Sequence, residues 1–299
     1  MKRLSIIIVT YNSEHDIYDC LASLYQHSDI PREELEIIVV DNDSQQAGHM
    51  FERIKAIYGN AIKLIKNTCN GGYGQGNNIG IRKATSPIVM IVNPDVRLME
   101  PIFQTALSHF EENPKLSMYG IKQMLTPTQA STNSISFTNM LNGYAFVLLT
   151  KLCTLFDWYL PRYMYLQGSC FFVRKSMFEA IGLFDEDVFM YGEEDDIHYR
   201  MKEKFGAYFH YNPHHHYQHL TKGRKPDVNY EKKRLESSIL LNGKKGYPRK
   251  KTIRNYLQKQ RVVLLKERLQ SILGRKDTAK LTTLIEFRDY LVELLKHEP

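Results

Sequence analysis

Apolar runs of strand length alternate with amphipathic stretches over the first 120 residues of the chain. The runs are Leu4–Val9, Leu35–Val40, Ala61–Ile65 and Ile88–Val92. Apolar residues recur at helical spacing between them, which predicts helices over Ile17–Tyr25, Met50–Tyr58 and roughly Asn78–Ala84. Strands that are apolar throughout and are separated by helices are typical of a parallel sheet covered on both faces. The pattern therefore predicts an α/β fold.

The pattern is less regular after Met118. From Ser131 to Tyr165 it predicts irregular chain with one apolar helix near Tyr144–Phe156. The later expected elements are a strand over Leu166–Val173, a helix from Lys175, a helix over Glu193–Phe205, a short strand near Ala207–Tyr211 and basic helices from about Asn229. An apolar stripe marks the last helix, at Leu281, Leu284, Ile285, Leu291, Val292 and Leu295.

Composition narrows the class of protein. A chain of 299 residues with 43% hydrophobic and 24% charged residues suits one large globular domain with an appendage. Its four scattered cysteines predict a reducing compartment, the cytoplasm, and argue against a disulfide framework or a zinc ribbon. The apolar run at the N-terminus is too short for a signal peptide. No stretch approaches the roughly 18 apolar residues of a membrane span, so we expect no transmembrane helix.

The positive charge is concentrated at the C-terminus. Residues 221–299 hold 21 Lys or Arg against 9 Asp or Glu, whereas the rest of the chain holds 19 against 24. Such a basic tail predicts an anionic partner, either lipid or nucleic acid. The lysines flank amphipathic helices and the aromatic residues form no stacking platform, which favours peripheral contact with an anionic membrane over nucleic acid. Packing of the tail on the main domain and a homodimer contact are the alternatives.

Polar residues follow each of the four predicted strands, where ligands bind in parallel sheets. They are Thr10-Tyr11-Asn12, Asp41-Asn42-Asp43, the stretch Asn67–Asn78, and Asn93-Pro94-Asp95. Turn and cap chemistry explains each group in isolation. Four such groups along one edge predict a binding site.

Two of these groups suggest specific chemistry. Asp95, held after a proline at a strand end, suits Mg²⁺ or Mn²⁺, which prefer oxygen ligands, although Asn-Pro-Asp is also a good turn sequence. The glycines within Asn70–Asn78 allow close approach of the backbone to a ligand. A dinucleotide fingerprint is rejected, because that motif belongs after the first strand and this loop follows the third.

Two groups further along the chain also carry candidate chemistry. Glu193–Asp196 opens a predicted helix, where its carboxylates either cap the helix or include a general base in an aromatic environment. Asp196 and Arg200 have the spacing of an ordinary helix-surface ion pair. The histidines His214–His216 and His219 are predicted to lie mostly in an exposed loop and are candidate metal or phosphate ligands.

The motifs, in this order, resemble glycosyltransferase family 2, the inverting group with the GT-A fold, and in particular bacterial rhamnosyltransferase-like enzymes of surface polysaccharide synthesis. The resemblance runs from Leu4 to about Gly223. Its pieces are Ser5–Asn12, Val39–Asn42, Asn70–Gly74, Asn93–Asp95, Gly182–Asp185, Glu193–Arg200 and His219. It implies a Rossmann-like mixed, mainly parallel sheet flanked by helices, in a catalytic domain over 1–225 (halves 1–120 and 121–225). The charge and the helical pattern of residues 226–299 predict a basic helical extension beyond it.

The resemblance also implies residue roles. Asp95 and His219 match the metal site, and Glu194 falls on the catalytic-base position, which is normally Asp. Glu193 or Asp195 is a possible substitute for that base, and Asp196 is a further catalytic candidate. The expected nucleotide-binding residues are Thr10, Tyr11, Asn12, Asp41, Asn70, Gly71, Gly74, Asn77 and Asn93.

The implied function is transfer of a sugar from a UDP- or dTDP-linked donor to a glycan or lipid-linked acceptor, with Mg²⁺ or Mn²⁺ as cofactor. A sugar-1-phosphate nucleotidyltransferase is the alternative enzyme. It would need a glycine-rich basic loop after the first strand, where this chain has Thr10–Asp16. A non-catalytic nucleic-acid-binding protein that uses the basic tail is the alternative of a different class.

Overall fold

The computed structural model describes residues 1–131, 134–138, 143–220, 227–272 and 277–298. The chain divides into two compact units. Unit 1 comprises the described residues of Met1–Ser136, Tyr159–Phe189 and Glu193–Thr221, and unit 2 those of Phe137–Trp158, Met190–Gly192 and Lys222–Pro299. The expected boundary at residues 225 and 226, and parts of the segment from Ser131 to Tyr165, lie outside the described residues, so the domain limits stay a prediction.

The regular elements are as follows. The strands are β1 (Leu4–Thr10), β2 (Leu35–Asp41), β3 (Ile62–Lys66), β4 (Ile88–Val92), β5 (Val96–Leu98), β6 (Met118–Thr126), β7 (Gln129–Ala130), β8 (Ile135–Phe137), β9 (Met164–Leu166), β10 (Cys170–Arg174) and β11 (Phe209–His219). The helices are α1 (Ile17–Gln26), α2 (Ala47–Tyr58), α3 (Gly72–Lys83), α4 (Phe103–Glu112), α5 (Gly143–Leu155), α6 (Lys175–Ala180), α7 (Glu193–Phe205), α8 (Val228–Lys244), α9 (Arg249–Ile272) and α10 (Thr278–Lys296).

The main sheet of unit 1 has the strand order β3-β2-β1-β4-β10-β6-β11-β5, with β7 on β6. Its first four strands are parallel, β10 runs antiparallel to both of its neighbours, and β6 pairs in parallel with β11. All five residues of β4 are buried, as their continuous apolar run requires for a strand covered on both faces. The predicted mixed α/β fold is confirmed.

Several predicted boundaries were wrong. Helix α3 begins at Gly72, not near Asn78, so most of the glycine-rich stretch is helical. The predicted strand over Leu166–Val173 is two strands, β9 and β10, separated by the segment 167–169. The histidines lie within β11, which continues to His219, instead of in an exposed loop. These strands pair with partners far away along the chain, which local periodicity does not report.

Unit 2 contains helices α5, α8, α9 and α10. Its buried core consists of Leu235, Ile253, Leu257, Phe287 and Leu291. Leu291 is the residue of the predicted α10 stripe that is fully buried. No helix among the described residues is long and apolar enough to cross a bilayer.

Candidate active site

The ends of β1 and β2 lie side by side, because the parallel register pairs Thr10 with Asp41. The fully buried Asp41 carboxylate accepts hydrogen bonds from the Thr10 hydroxyl at 2.9 Å, the Ser44 hydroxyl at 2.6 Å and the Ser44 amide at 2.8 Å. These donors offset the cost of burying a charge. Tyr11 is half exposed, and Asn12 takes a positive φ there. Asp41 thus links the end of β1 to the turn after β2 through these hydrogen bonds. The Tyr11 ring is accessible for stacking on a base.

The glycine-rich stretch begins α3. The Asn70 side chain accepts a hydrogen bond from the Gly72 amide at 3.1 Å, one residue after Gly71. Gly72 has a φ of +89° and lies against the backbone of Phe189, so a side chain there would be both strained and obstructed. Asn70 and Gly72 therefore define where the helix starts.

The next glycines of α3 face protein. A side chain at Gly74 would meet the Phe184 Cβ at 3.0 Å, and one at Gly76 would meet Val9 Cγ1 at 2.7 Å. Close approach of the helix to the segment after α6 explains Gly74, and its close approach to β1 explains Gly76. Gly74 was expected to approach a nucleotide, and in the structure it packs against Phe184.

Tyr73 and Asn77 lie one turn apart on the same face of α3. The buried Asn77 side chain donates to the Tyr73 carbonyl at 2.9 Å, and its Oδ1 accepts no hydrogen bond within the described residues. The Tyr73 hydroxyl donates to the Gly168 carbonyl at 2.5 Å. Burial raises the pKa of Tyr73 well above its usual value, and the nearby charges of Glu194 and Glu193 raise it further. Tyr73 is therefore a neutral hydrogen-bond donor beside the acidic residues.

Asp95 meets His219 at the end of the sheet. The Asn93 amide, just after β4, donates to the Ser169 carbonyl at 2.9 Å. Strand β5 starts directly after Asp95 and pairs antiparallel with β11, where His219 lies opposite Val96. Asp95 Oδ1 and His219 Nε2 are consequently 3.1 Å apart. The expected metal residues are brought together by the pairing of β5 with β11.

This pair fits a divalent cation in chemistry and in spacing. Neighbouring ligands of an octahedral ion bound at about 2.1 Å stand about 3 Å apart, and the two atoms here are separated by 3.1 Å. Among the described residues no group of three or more His, Cys, Asp or Glu could hold a metal by itself. Mg²⁺ and Mn²⁺ commonly complete their coordination with water and substrate phosphate. Asp95 and His219 therefore suit a metal that is shared with a substrate.

The acidic residues at the start of α7 have different surroundings. Glu193, Asp195 and Asp196 are buried, and the positive end of the helix dipole favours negative charge there. Asp196 Oδ2 lies 2.6 Å from Arg200 Nη2, and Arg200 Nη1 donates to the Ile181 carbonyl at 2.6 Å. Asp196, expected among the catalytic candidates, is therefore held in an ion pair that anchors α7.

Glu194 reaches the carboxyl edge of the sheet. Its half-buried side chain lies directly against Gly168, where any Cβ would overlap the carboxylate. Gly168 belongs to the segment before β10, and β10 starts beside the end of β4 because Cys170 pairs with Val92. The same segment receives the hydrogen bonds from Tyr73 and Asn93. Glu194 and the Asp95–His219 pair are thus carried by neighbouring segments of one edge.

His198 connects α7 to the end of β9, directly before the segment that contains Gly168. The Leu166 amide donates to His198 Nε2 at 3.1 Å, so the ring proton is on Nδ1, which donates to the Glu194 carbonyl at 2.9 Å. Tyr73, Gly168 and His198 were not among the predicted site residues. The interior glycine of the strand predicted over Leu166–Val173 was a signal for a break, and His198 lies one helical turn after Glu194.

The sequence matches one protein family over most of unit 1. The model of Glycosyl transferase family 2 aligns with residues 5–182, which is more than half of the chain. The chain belongs to glycosyltransferase family 2. The match includes the parallel strands, Asp95 and Gly168, and it confirms the family that the motifs indicated.

Curated glycosyltransferases resemble the chain over part of their length. The low-salt glycan biosynthesis hexosyltransferase Agl10 of Haloferax volcanii is 31% identical over 214 residues, which are 67% of this chain and 62% of that protein. The poly(ribitol-phosphate) beta-N-acetylglucosaminyltransferase TarS of Staphylococcus aureus is 29% identical over 114 residues, 38% of this chain and 20% of that protein. The chain therefore spans less than two thirds of either relative.

Solved structures share the GT-A fold. The mannosyltransferase PcManGT from Pyrobaculum calidifontis, in complex with GDP-Man and Mn²⁺, superposes with a TM-score of 0.64 at 17% identity and covers 100% of this chain and 89% of its own. TarS of S. aureus in complex with UDP-GlcNAc gives 0.56 at 15% identity, over 98% of this chain and 81% of its own. At identities this low, the likeness shows only that the chain shares the fold of these proteins.

Proposed function

We propose that the protein transfers a hexosyl unit from a nucleoside-diphosphate sugar to a glycan or lipid-linked acceptor, with inversion at the anomeric carbon. The observation that carries this proposal is that Glu194 and the Asp95–His219 pair lie on adjoining segments of the sheet edge. Family membership supports a glycosyl transfer reaction. A general base near a metal-binding pair is what such a displacement needs.

The donor is proposed to bind over the ends of β1 and β2. The Tyr11 ring is accessible for base stacking, and the buried Asn77 has a carboxamide oxygen to which a donor group can hydrogen-bond. Two structures with the same fold hold GDP-Man and UDP-GlcNAc, which supports a sugar nucleotide as the ligand class. For this chain we propose a UDP- or dTDP-linked sugar.

In the proposed reaction Glu194 accepts the proton of an acceptor hydroxyl as that oxygen bonds to the anomeric carbon. The bond from this carbon to the diphosphate oxygen breaks with its electron pair, so the nucleoside diphosphate leaves and the configuration inverts. Asp95 and His219 would hold Mg²⁺ or Mn²⁺, which supplies charge neutralisation for the departing diphosphate. Tyr73 fixes the Gly168 carbonyl, and Gly168 leaves the space that the Glu194 carboxylate occupies.

The biological setting is proposed from the relatives. Agl10 and TarS are named for glycan and poly(ribitol-phosphate) glycosylation, which supports a role in the assembly of bacterial surface polysaccharide. The four cysteines are all free, as is typical of proteins in a reducing compartment. We therefore propose that the reaction takes place in the cytoplasm, on acceptors presented at the inner face of the cell membrane.

The decisive experiment is Glu194→Gln, which keeps the size of the side chain and removes its basicity. A thermal-shift screen of sugar nucleotides with Mn²⁺ first identifies the donor. We expect transfer by Glu194→Gln to fall by at least about a hundredfold while stabilisation by the donor is unchanged. Glu179→Gln, an exposed glutamate of α6 that pairs with Lys175, is the matched control. Near-normal turnover by Glu194→Gln would refute the assignment of the base.

A further inference from the structure

Helix α5 of unit 2 presents an apolar stripe to solvent. Gly143 packs against α9, where its amide donates to the Gln258 side chain at 2.9 Å, and Lys259 lies over the Phe146 ring at 3.6 Å. The face turned away from α9 carries residues at helical spacing that are all exposed. They are Tyr144, Leu148, Lys151, Leu152 and Leu155.

The exposed apolar surface continues beyond the helix. Phe156 and Trp158 stack with ring centroids 4.9 Å apart, and more than half of each side chain is exposed. Leu148 and Leu155 are exposed by 62% and 70%. Contiguous exposed apolar side chains of this size are uncommon on proteins that lack a partner. We call Tyr144, Leu148, Leu152, Leu155, Phe156 and Trp158 the α5 surface.

Positive charge accompanies the α5 surface. Lys151 lies within the stripe, and α5 has no acidic residue. Eight of the 24 residues of α9, on which α5 packs, are Lys or Arg and one is Glu. Near its C-terminal end α9 alternates exposed Arg261 and Arg268 with exposed Leu265 and Ile272. Both helices therefore combine apolar and cationic groups on their exposed faces.

We propose that the α5 surface docks on an anionic lipid bilayer. Aromatic and leucine side chains insert at the level of the headgroups, and the surrounding cations are attracted to anionic lipids. A helix of 13 residues is about 20 Å long, which suits a helix lying in the interface and is too short to span it. A second copy of the chain would bring the same cations against each other, because a two-fold interface repeats the same patch.

The single tryptophan of the chain makes the proposal measurable without labels, since Trp158 lies in the α5 surface. On titration with vesicles of phosphatidylcholine and phosphatidylglycerol, its fluorescence should move to shorter wavelength and become protected from iodide. Vesicles of phosphatidylcholine alone should give a much smaller effect. An equal response to both vesicles, or none to either, would overturn the proposal.

Variants of exposed residues assign the binding to this surface. Leu148→Ser/Leu152→Ser should lower the partition coefficient about tenfold or more, and Lys151→Glu should lower it selectively for anionic vesicles. Ile57→Ser is the control, because Ile57 is an apolar residue of α2 in unit 1 whose exposure lies between those of Leu148 and Leu152; it should bind as the wild type does. Unchanged binding by the double variant would refute docking by α5.

Light scattering without lipid tests whether a second copy of the chain, instead of a bilayer, covers the α5 surface. A concentration-dependent dimer that also blue-shifts Trp158 would show that a second copy covers the surface, and it would overturn membrane docking. These measurements use no sugar substrate, so their failure would leave the proposed transferase activity untouched.

Discussion

Gly168→Ala should damage catalysis and leave the fold intact. Gly168 does not have a positive φ, so alanine suits its backbone. A Cβ added there would lie 2.6 Å from both Cδ and Cγ of Glu194, whereas carbon atoms prefer about 3.5–4.0 Å. The obstacle is a single rotatable side chain. Glu194 can therefore move aside, and the protein loses the position of its proposed base.

The magnitude follows from that overlap. Restoring normal contact needs a shift of the Glu194 side chain by about 1 Å, and a misplacement of that size costs about a hundredfold in rate. This equals about 2.7 kcal/mol of activation free energy. The free energy of unfolding should change by less than about 1 kcal/mol, since alanine reduces the conformational freedom of the unfolded chain.

The assay measures release of nucleoside diphosphate at saturating donor and acceptor, alongside urea denaturation of the same samples. We expect kcat to fall and the thermal shift produced by the donor to stay the same. Gly48→Ala, a helical glycine with open space around it, is the control. A wild-type kcat in Gly168→Ala would contradict the placement of Glu194 at the reacting centre.

A second variant separates crowding from other damage. Glu194→Asp shortens the proposed base by one methylene and withdraws the carboxylate, whose Oε1 is the atom nearest to a Cβ at Gly168. In the double variant Gly168→Ala/Glu194→Asp the loss should be smaller than the sum of the two single losses, because the residues are in contact. Strict additivity would show that the two positions act independently.

Two further predictions concern unit 1. Asp95→Asn should abolish the extra thermal stabilisation that Mn²⁺ gives to the donor complex. Glu100→Gln, in the comparable pair with His216 at 2.8 Å, is the control and should keep it. The same loss in both variants would contradict the metal assignment. Burial, with a contribution from neighbouring His109, lowers the pKa of His210. The unfolded chain therefore binds more protons below about pH 6.5, so stability should fall as the pH drops through that value. The urea midpoint of His210→Phe should fall less between about pH 7 and pH 5, and an equal fall would contradict this.

Much of the fold was predictable because the signal is local. The continuous apolar runs of β1, β2 and β4 predict buried strands without any knowledge of the strands with which they pair. The acidic run at Glu193 marked the start of α7 correctly, since helix ends have their own chemistry. Strands such as β6 and β11 were missed or cut short, because their residues are stabilised by partners on other segments.

The sequence by itself therefore determined the α/β class, the family and the identity of the acids at the strand ends. Only the tertiary structure decided which of them meet. Asp95 and His219 are 124 positions apart and are joined by the pairing of β5 with β11. Glu194 faces Gly168, and Arg200 reaches the Ile181 carbonyl, because of how α7 packs in the fold. Helical periodicity places neighbouring acids on different faces, but sheet order and packing set what each face contacts.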